Sequence, residues 1–218
     1  MPAVPTVGTL NQFGIGTANP TTSLLEYTSF GLGKHGTVLS TDGIRGTRSH
    51  PVERTRAGVY TISGQIVTHP GPADLDVLLP FITGTTKNGS NQFPLAEALT
   101  SVTAYIQHDS GAKVFTYAGC QADKYAFKAS QGGLLELAMD WEALTESIGN
   151  AGTFPSLTAT TAAPFVLMDA VLTIGGGASK QFREMEVVID NHLKKDRHMN
   201  SSARTDVVPA SSASTNGP

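Results

Sequence analysis

A mainly β, antiparallel fold is predicted for this chain, and three observations carry the prediction. Residues 113–141 (KVFTYAGCQADKYAFKASQGGLLELAMDW) alternate apolar and polar side chains with period two and break only at glycines. The 23 glycines and 12 prolines among 218 residues punctuate the chain at short intervals. A single segment, residues 72–83, places its apolar side chains at convincing helical spacing.

Composition narrows the class further. Charged residues make up 15% of the chain, below the roughly 25% usual in soluble domains, as expected where much surface is buried against other chains. A net charge of −3 excludes a large basic field for binding nucleic acid. One cysteine, Cys120, excludes an internal disulfide framework and fits a reducing compartment. No apolar run reaches the roughly 20 residues of a membrane span. The first ten residues, MPAVPTVGTL, lack the basic start and apolar core of a signal peptide. A soluble chain made inside the cell is expected.

Taken in order, residues 1–22 are rich in Gly, Pro, Thr and Asn and read as an extended N-terminal arm, and residues 23–30 fit a short strand. Residues 31–57 hold one apolar pair, Val38-Leu39, and carry Lys34, Arg45, Arg48, Arg54 and Arg56 against Asp42 and Glu53, a local charge of +3. Connections beyond about 12–15 residues are uncommon unless they have a function, so 28–57 is predicted as a long interaction loop. Residues 58–68 follow as a strand with Tyr60, Ile62 and Ile66 on one face and Gly64 as a bulge candidate. In the helix 72–83, Pro72 suits the first turn, and Asp74 and Asp76 suit its positive end. Leu75, Leu78, Leu79 and Ile82 form its stripe; Pro80 should kink or shorten it and Gly84 should end it. A polar loop over 85–94 leads to a strand over 95–108, with Val102, Ala104 and Ile106 alternating.

The stretch 113–141 then reads as a three-strand meander, with turns at Gly119-Cys120 and at Gln131-Gly132-Gly133. Leu135, Leu137, Met139 and Trp141 share one face; Glu136, Ala138, Asp140 and Glu142 share the other. Residues 134–148 also fit a helix through Leu137, Trp141, Leu144 and Ile148, and the glycine pair before them favours a strand. A Gly, Thr and Ala-rich connection covers 143–163, a strand covers 164–174 up to Gly175-Gly176-Gly177, and another covers 182–191. In that last strand Met185, Val187 and Ile189 alternate with Glu184, Glu186 and Asp190. Residues 199–218 form a flexible Ser-rich tail, too polar to bury a core of their own.

Motifs that carry chemistry are weak. Gly31-Leu32-Gly33-Lys34-His35-Gly36 matches the dinucleotide-binding glycine string, but no helix follows to receive a pyrophosphate. Six histidines (His35, His50, His69, His108, His192, His198) show no metal-ligand spacing. Cys120 reads as a small buried hydrophobe, with no local signature of a Cys-His nucleophile. Between residues 129 and 179 every charge is a carboxylate: Glu136, Asp140, Glu142, Glu146 and Asp169. A one-sign electrostatic face explains these better than paired acid–base catalysis. No catalytic residue, cofactor or metal is expected.

The order of parts resembles the tail tube (major tail) proteins of long, non-contractile-tailed bacteriophages. The resemblance spans roughly residues 20–195: the arm and long loop, the helix ending in LLPFITG, the YAGC segment feeding DKYAFKASQGGLLELAMDW, and PFVLMDAVLTIGGG followed by FREMEVVIDNHL. It implies a β-sandwich domain over 23–198 with one flanking short helix, self-assembly into stacked hexameric rings, and a virion component made in the host cytoplasm. The implied partners are further copies, the tape-measure protein and other tail proteins, with DNA passing through the lumen unbound. Under this resemblance Glu136, Asp140, Glu142, Glu184 and Glu186 are lumen-facing candidates, and Arg45, Arg48, Arg54 and Arg56 are inter-ring candidates. A ring of six copies at −3 each would repel its cargo. The rival readings are a terminator or adaptor ring of the head-tail connector, and a β-sandwich carbohydrate- or host-binding module. The module would need clustered exposed aromatics, and the chain has one tryptophan.

Overall fold

The computed structural model describes residues 12–16, 23–40, 55–108, 113–150, 158–159, 162–173, 177, 180–195 and 208–209. In chain order the elements are β1 (Phe13–Gly16), β2 (Ser23–Leu25), β3 (Ser29–Phe30), β4 (Gly33–Ser40), β5 (Thr55–Thr68), α1 (Pro72–Thr83), β6 (Val102–His108), β7 (Lys113–Ser130), β8 (Glu136–Ala143), β9 (Thr145–Asn150), β10 (Thr158–Ala159), β11 (Glu184–Asp190), β12 (Leu193–Lys194) and β13 (Val208–Pro209). The chain is mainly β with one short helix, as its alternation and turn content require. Eleven strands form one curled sheet, antiparallel except where β10 runs parallel to β2.

The sheet is organised on β7, 18 residues long, which is edged by other strands on both sides. Its first half lies between β6 and β9, and its second half between β8 and β11. Two wings therefore share one strand. The first runs β10-β2-β1-β6-β7-β9; the second runs from β3 and β4 through β5-β8-β7 to β11. No turn occurs at Gly119-Cys120, where the meander reading places one. Register shifts occur instead on the β6 side before Cys120 and on the β8 side at Asp123. A bulge resets which side chains face inward. The residues on the inner face of β7 accordingly run Phe115, Tyr117, then Cys120, Ala122, then Tyr125, Phe127.

The inner faces of both wings supply one core. Phe13 and Ile15 from β1, Ile62 and Ile66 from β5, Val102 and Ile106 from β6, and Leu137, Met139 and Trp141 from β8 are all essentially inaccessible. Rings close the curl: Phe30 from the second wing lies 5.5 Å from Phe13 and 6.2 Å from Tyr117, centroid to centroid. The helix covers the core with Leu78 and Ile82 buried. Its start is held by Gly71 N–H donating to Asp74 Oδ2 (2.8 Å), and it runs past Pro80 to Gly84, whose left-handed backbone (φ 80°) ends it.

Several expectations change. Residues 13–16, placed in the N-terminal arm, form a fully buried strand paired with β6. Residues 33–40, placed in the long loop, form β4 and pair with β5; 41–54 lie outside the described residues. The strand expected over 95–108 begins at Val102. Residues 134–148 are strand on both sides of Leu144, as β8 and β9, so the connection begins later than predicted. Where a strand is expected over 164–174, the described residues 164–173 contain a 3₁₀ turn at Leu167–Asp169, because Asp169 Oδ2 accepts Val166 N–H (2.9 Å) and turns the chain locally. Val208–Pro209, placed in the flexible tail, pair with Leu193–Lys194. Gly64 stays in register with Trp141 and is no bulge; a side chain there would meet the Gly31 carbonyl.

Gly119 takes φ +67°, and a Cβ there would stand 2.7 Å from Leu144 Cδ1. Gly119→Ala is expected to destabilise by about 2–4 kcal/mol, combining left-handed strain with the clash. Gly132→Ala has the same backbone sign (φ +81°) but open space around it, and should lose only about 1–2 kcal/mol. Urea midpoints of the two variants measure the difference; equal losses would show that Leu144 imposes no constraint.

Candidate assembly surface

The outer face of the second wing collects the predicted acidic residues. Residues on one face of a strand recur at every second position, so Glu136 and Asp140 of β8 share it with Glu184, Glu186 and Asp190 of β11. Between them β7 contributes two lysines. Lys128 stands opposite Glu136 on one side and Glu186 on the other; Lys124 stands opposite Asp140 and Asp190 in the same way. Two acid–lysine–acid rows therefore cross the face. The one-sign face read from residues 129–179 is thus corrected: β7 brings in positive charge from outside that window. The face remains net acidic, with five carboxylates against two lysines.

The rows are open to solvent. Lys128 Nζ lies 3.2 Å from Glu186 Oε1, with both side chains about half exposed, and pairs of that kind contribute only about 0–1 kcal/mol. Asp140 Oδ1 accepts a hydrogen bond from Gln65 Nε2 (3.0 Å) on β5, extending the polar face across a fourth strand.

Glu142 is placed differently from the other acidic candidates. It is buried to 7% exposure and paired at 3.3 Å with Lys195, which also reaches Asp123 Oδ2 at 2.5 Å. The Asp123 bulge explains the cluster. Freed from the β8 ladder, Asp123 accepts Asn191 N–H at its carbonyl (2.7 Å) and Leu193 N–H at Oδ1 (2.9 Å), clamping the chain as it leaves β11. Asn191 Nδ2 donates to the carbonyls of Ile82 (3.2 Å) and Ala122 (2.8 Å), tying helix end to bulge. Burial alone would lower the Lys195 pKa, but the hydrogen bond to Asp123 and the charges of Glu142 and Asp123 raise it overall.

Of the inter-ring candidates, Arg45, Arg48 and Arg54 lie outside the described residues. Arg56 is exposed on β5, opposite Leu39 of β4. Lys34, on the opposite face of this pair of strands, lies 4.0 Å from the centre of the Tyr60 ring. Val38, Leu39 and Val59 are 72%, 61% and 47% exposed. Among the described residues, the strand partner of 55–61 in β5 is β4, and the two strands run on beyond the end of β8 as a ribbon. The glycine string Gly31–Gly36 ends inside β4 rather than before a helix.

Cys120 is fully buried, its Sγ donating to the Tyr117 carbonyl at 3.2 Å, and burial pushes its thiol up to about 12. Among the described residues no group of three or more His, Cys, Asp and Glu has metal-holding geometry, and no helix is long and apolar enough to cross a membrane. Sequence reasoning missed Lys124, Lys128 and Lys195, because strand pairing and the bulge alone bring them to these carboxylates.

The sequence model of the family described as phage tail tube protein matches residues 7–217. No curated protein matches significantly. Solved structures also align with the chain, two of them as follows. One is the cryo-EM structure of the anti-feeding prophage cap (AFP tube terminating cap), at 11% identity, covering 63% of this chain and 87% of that one, TM-score 0.41. The other is the six-fold symmetrised anti-feeding prophage baseplate, at 10% identity, covering 68% and 98%, TM-score 0.39.

Lys195→Met should cost about 1–2 kcal/mol near neutral pH by removing the cation that two little-exposed carboxylates share. Because the folded-state pKa is raised, this stabilisation is full below lysine's ordinary 10.5 and is lost as pH rises through the folded value. Denaturation of variant and unaltered protein at pH 7 and above pH 10.5 tests both statements; a gap that widens with pH would contradict the pairing. Cys120 should resist a thiol reagent at pH 8 in the native protein and react once denatured; rapid native labelling would contradict its burial.

Proposed function

The chain belongs to the phage tail tube protein family, a structural family, and from that premise we propose that it self-assembles into stacked hexameric rings whose lumen conducts DNA. A tail structural protein is a virion component, and its function is assembly. The observation that carries the finer reading is the second wing. Its four central strands, β5, β8, β7 and β11, present an open net-acidic face. Among the described residues, the outer edges of β4 and β11 pair with nothing. Exposed edges invite pairing with another chain, and ring closure removes them. Joining β11 of one copy to the β4–β5 edge of the next would make a continuous barrel.

In that ring Asp140, Glu186 and Asp190 would stand along the lumen, with Glu136 and Glu184 at the rim where one ring meets the next. Glu142, committed to Lys195, would sit behind them. A wall of this sign repels phosphate, so DNA passes without specific contacts. The tape-measure protein would occupy the same lumen during assembly. The inter-ring role of Arg45, Arg48, Arg54 and Arg56 is part of the proposal, as is the division into an arm, a ring-forming domain and a tail.

Negative-stain electron microscopy of the concentrated protein is expected to show six-fold rings and tubes. A chain that stays monomeric with the other tail components present would refute the reading. Rings that form but never stack would point to a terminator or adaptor ring instead.

A further inference from the structure

The 3₁₀ turn Leu167–Asp169 sends neighbouring side chains in opposite directions. Asp169 closes the turn by accepting Val166 N–H at Oδ2 (2.9 Å), and Ala170 N–H donates to the Leu167 carbonyl (3.1 Å). Leu167 is 9% exposed and anchors the turn to the body, whereas Met168 is 90% exposed. A thioether is soft and nucleophilic, and access to solvent governs how fast it is oxidised. Met139 lies in the core at 0% exposure and Met185 is half-buried on β11. Among the described residues, Met168 is therefore the accessible thioether.

Met168 lines a cleft of about 660 Å³ with Val171 and Phe182, and the side chains of Lys180, Arg183 and Gln131 bring hydrogen-bond donors to it. Two backbone bonds fix its frame: Lys180 N–H donates to the Leu172 carbonyl (2.8 Å), and Gln131 N–H to the Arg183 carbonyl (2.9 Å). Among the described residues no carboxylate lines the cleft, and neither Lys180 nor Arg183 enters an ion pair. Asp169, the adjacent carboxylate, is taken up by Val166. A thioether is a weak acceptor and offers these donors little. A sulfoxide oxygen is polar and accepts hydrogen bonds strongly, so it suits them.

We propose that Met168 is a peroxide-sensitive modification site and that Lys180 and Arg183 hold the sulfoxide formed there. A sulfur lone pair attacks one oxygen of hydrogen peroxide, and the O–O bond breaks. Sulfur keeps that oxygen and is oxidised by two electrons. The other oxygen leaves with the electron pair, takes the proton of the transferred oxygen and becomes water, so the peroxide is reduced. The side chain changes from an apolar group in solvent to a polar one docked on the cations of the cleft. Met168 adds almost nothing to the core, so its oxidation leaves the stability of the fold unchanged. The site needs no assembled ring, since every group involved belongs to one chain.

Limited treatment of the full, unassembled chain with hydrogen peroxide, followed by peptide mass mapping, tests the site. Met168 sulfoxide should accumulate about tenfold or more faster than Met139 sulfoxide, with no change in the thermal midpoint. Equal rates at the two residues, or a midpoint that falls as Met168 is oxidised, overturn the proposal. The receiving cations are read by repair of the oxidised chain with methionine sulfoxide reductases of both epimer classes. Reduction at Met168 should be about threefold or more faster in K180A/R183A, where the sulfoxide has lost its charged donors, than in the unaltered chain. Equal repair rates overturn the part given to Lys180 and Arg183. Should the double variant fail to fold by circular dichroism, K180A and R183A are read singly, and the same equality in both overturns it.

Discussion

The fold depends on one strand serving two wings. β7 can do so only because its ladder is interrupted twice, before Cys120 on the β6 side and at Asp123 on the β8 side. Each interruption shifts the inward-facing set by one residue, which keeps apolar side chains on the concave side as the strand bends. Without the shifts, strict alternation from Tyr117 would turn Cys120 and Ala122 away from the core and put Gln121 and charged Asp123 on its face. Gly119 supplies the backbone conformation the bend requires, and Leu144 packs where its side chain would be. Leu144 N–H also donates to the Ala118 carbonyl (3.0 Å), so the break between β8 and β9 lies directly against the bend in β7.

The second interruption also organises the charges. A bulged residue leaves its backbone and side chain free for other partners, and Asp123 uses both to hold the segment after β11. Lys195 is delivered there as a result and takes Glu142 out of the acidic face. The remaining carboxylates stay on the open side, in rows with Lys124 and Lys128. Partial neutralisation gives this face an intermediate negative potential without a steep local field. The packing that keeps the sheet curled and the charge arrangement of its open face thus share a single irregular stretch.

Much was legible in the chain itself. The helix 72–83 follows from Pro72, Asp74, the leucine stripe and Gly84, all acting within a few residues of one another. The faces of β8 and β11 follow from alternation: Leu137, Met139 and Trp141 are inward, and Glu184 and Glu186 are outward. The candidate site was legible in its acidic half and not in its lysines, because cross-strand partners depend on register. Glu142 continues the alternation of Glu136 and Asp140, and nothing local marks it for a buried pair with Lys195.

Local order therefore determined the fold class, the helix and the polarity of each strand, because side-chain alternation and capping act over a few residues. The tertiary structure alone decided that residues 113–130 are one strand, that Phe13 and Ile15 complete the core, and that β4 belongs to a ribbon. A bulge breaks period two just as a turn does, and glycine suits both, so Gly119 could not reveal which it was. Only the partners on either side of β7, more than ten residues away in sequence or farther, keep the chain extended through that break.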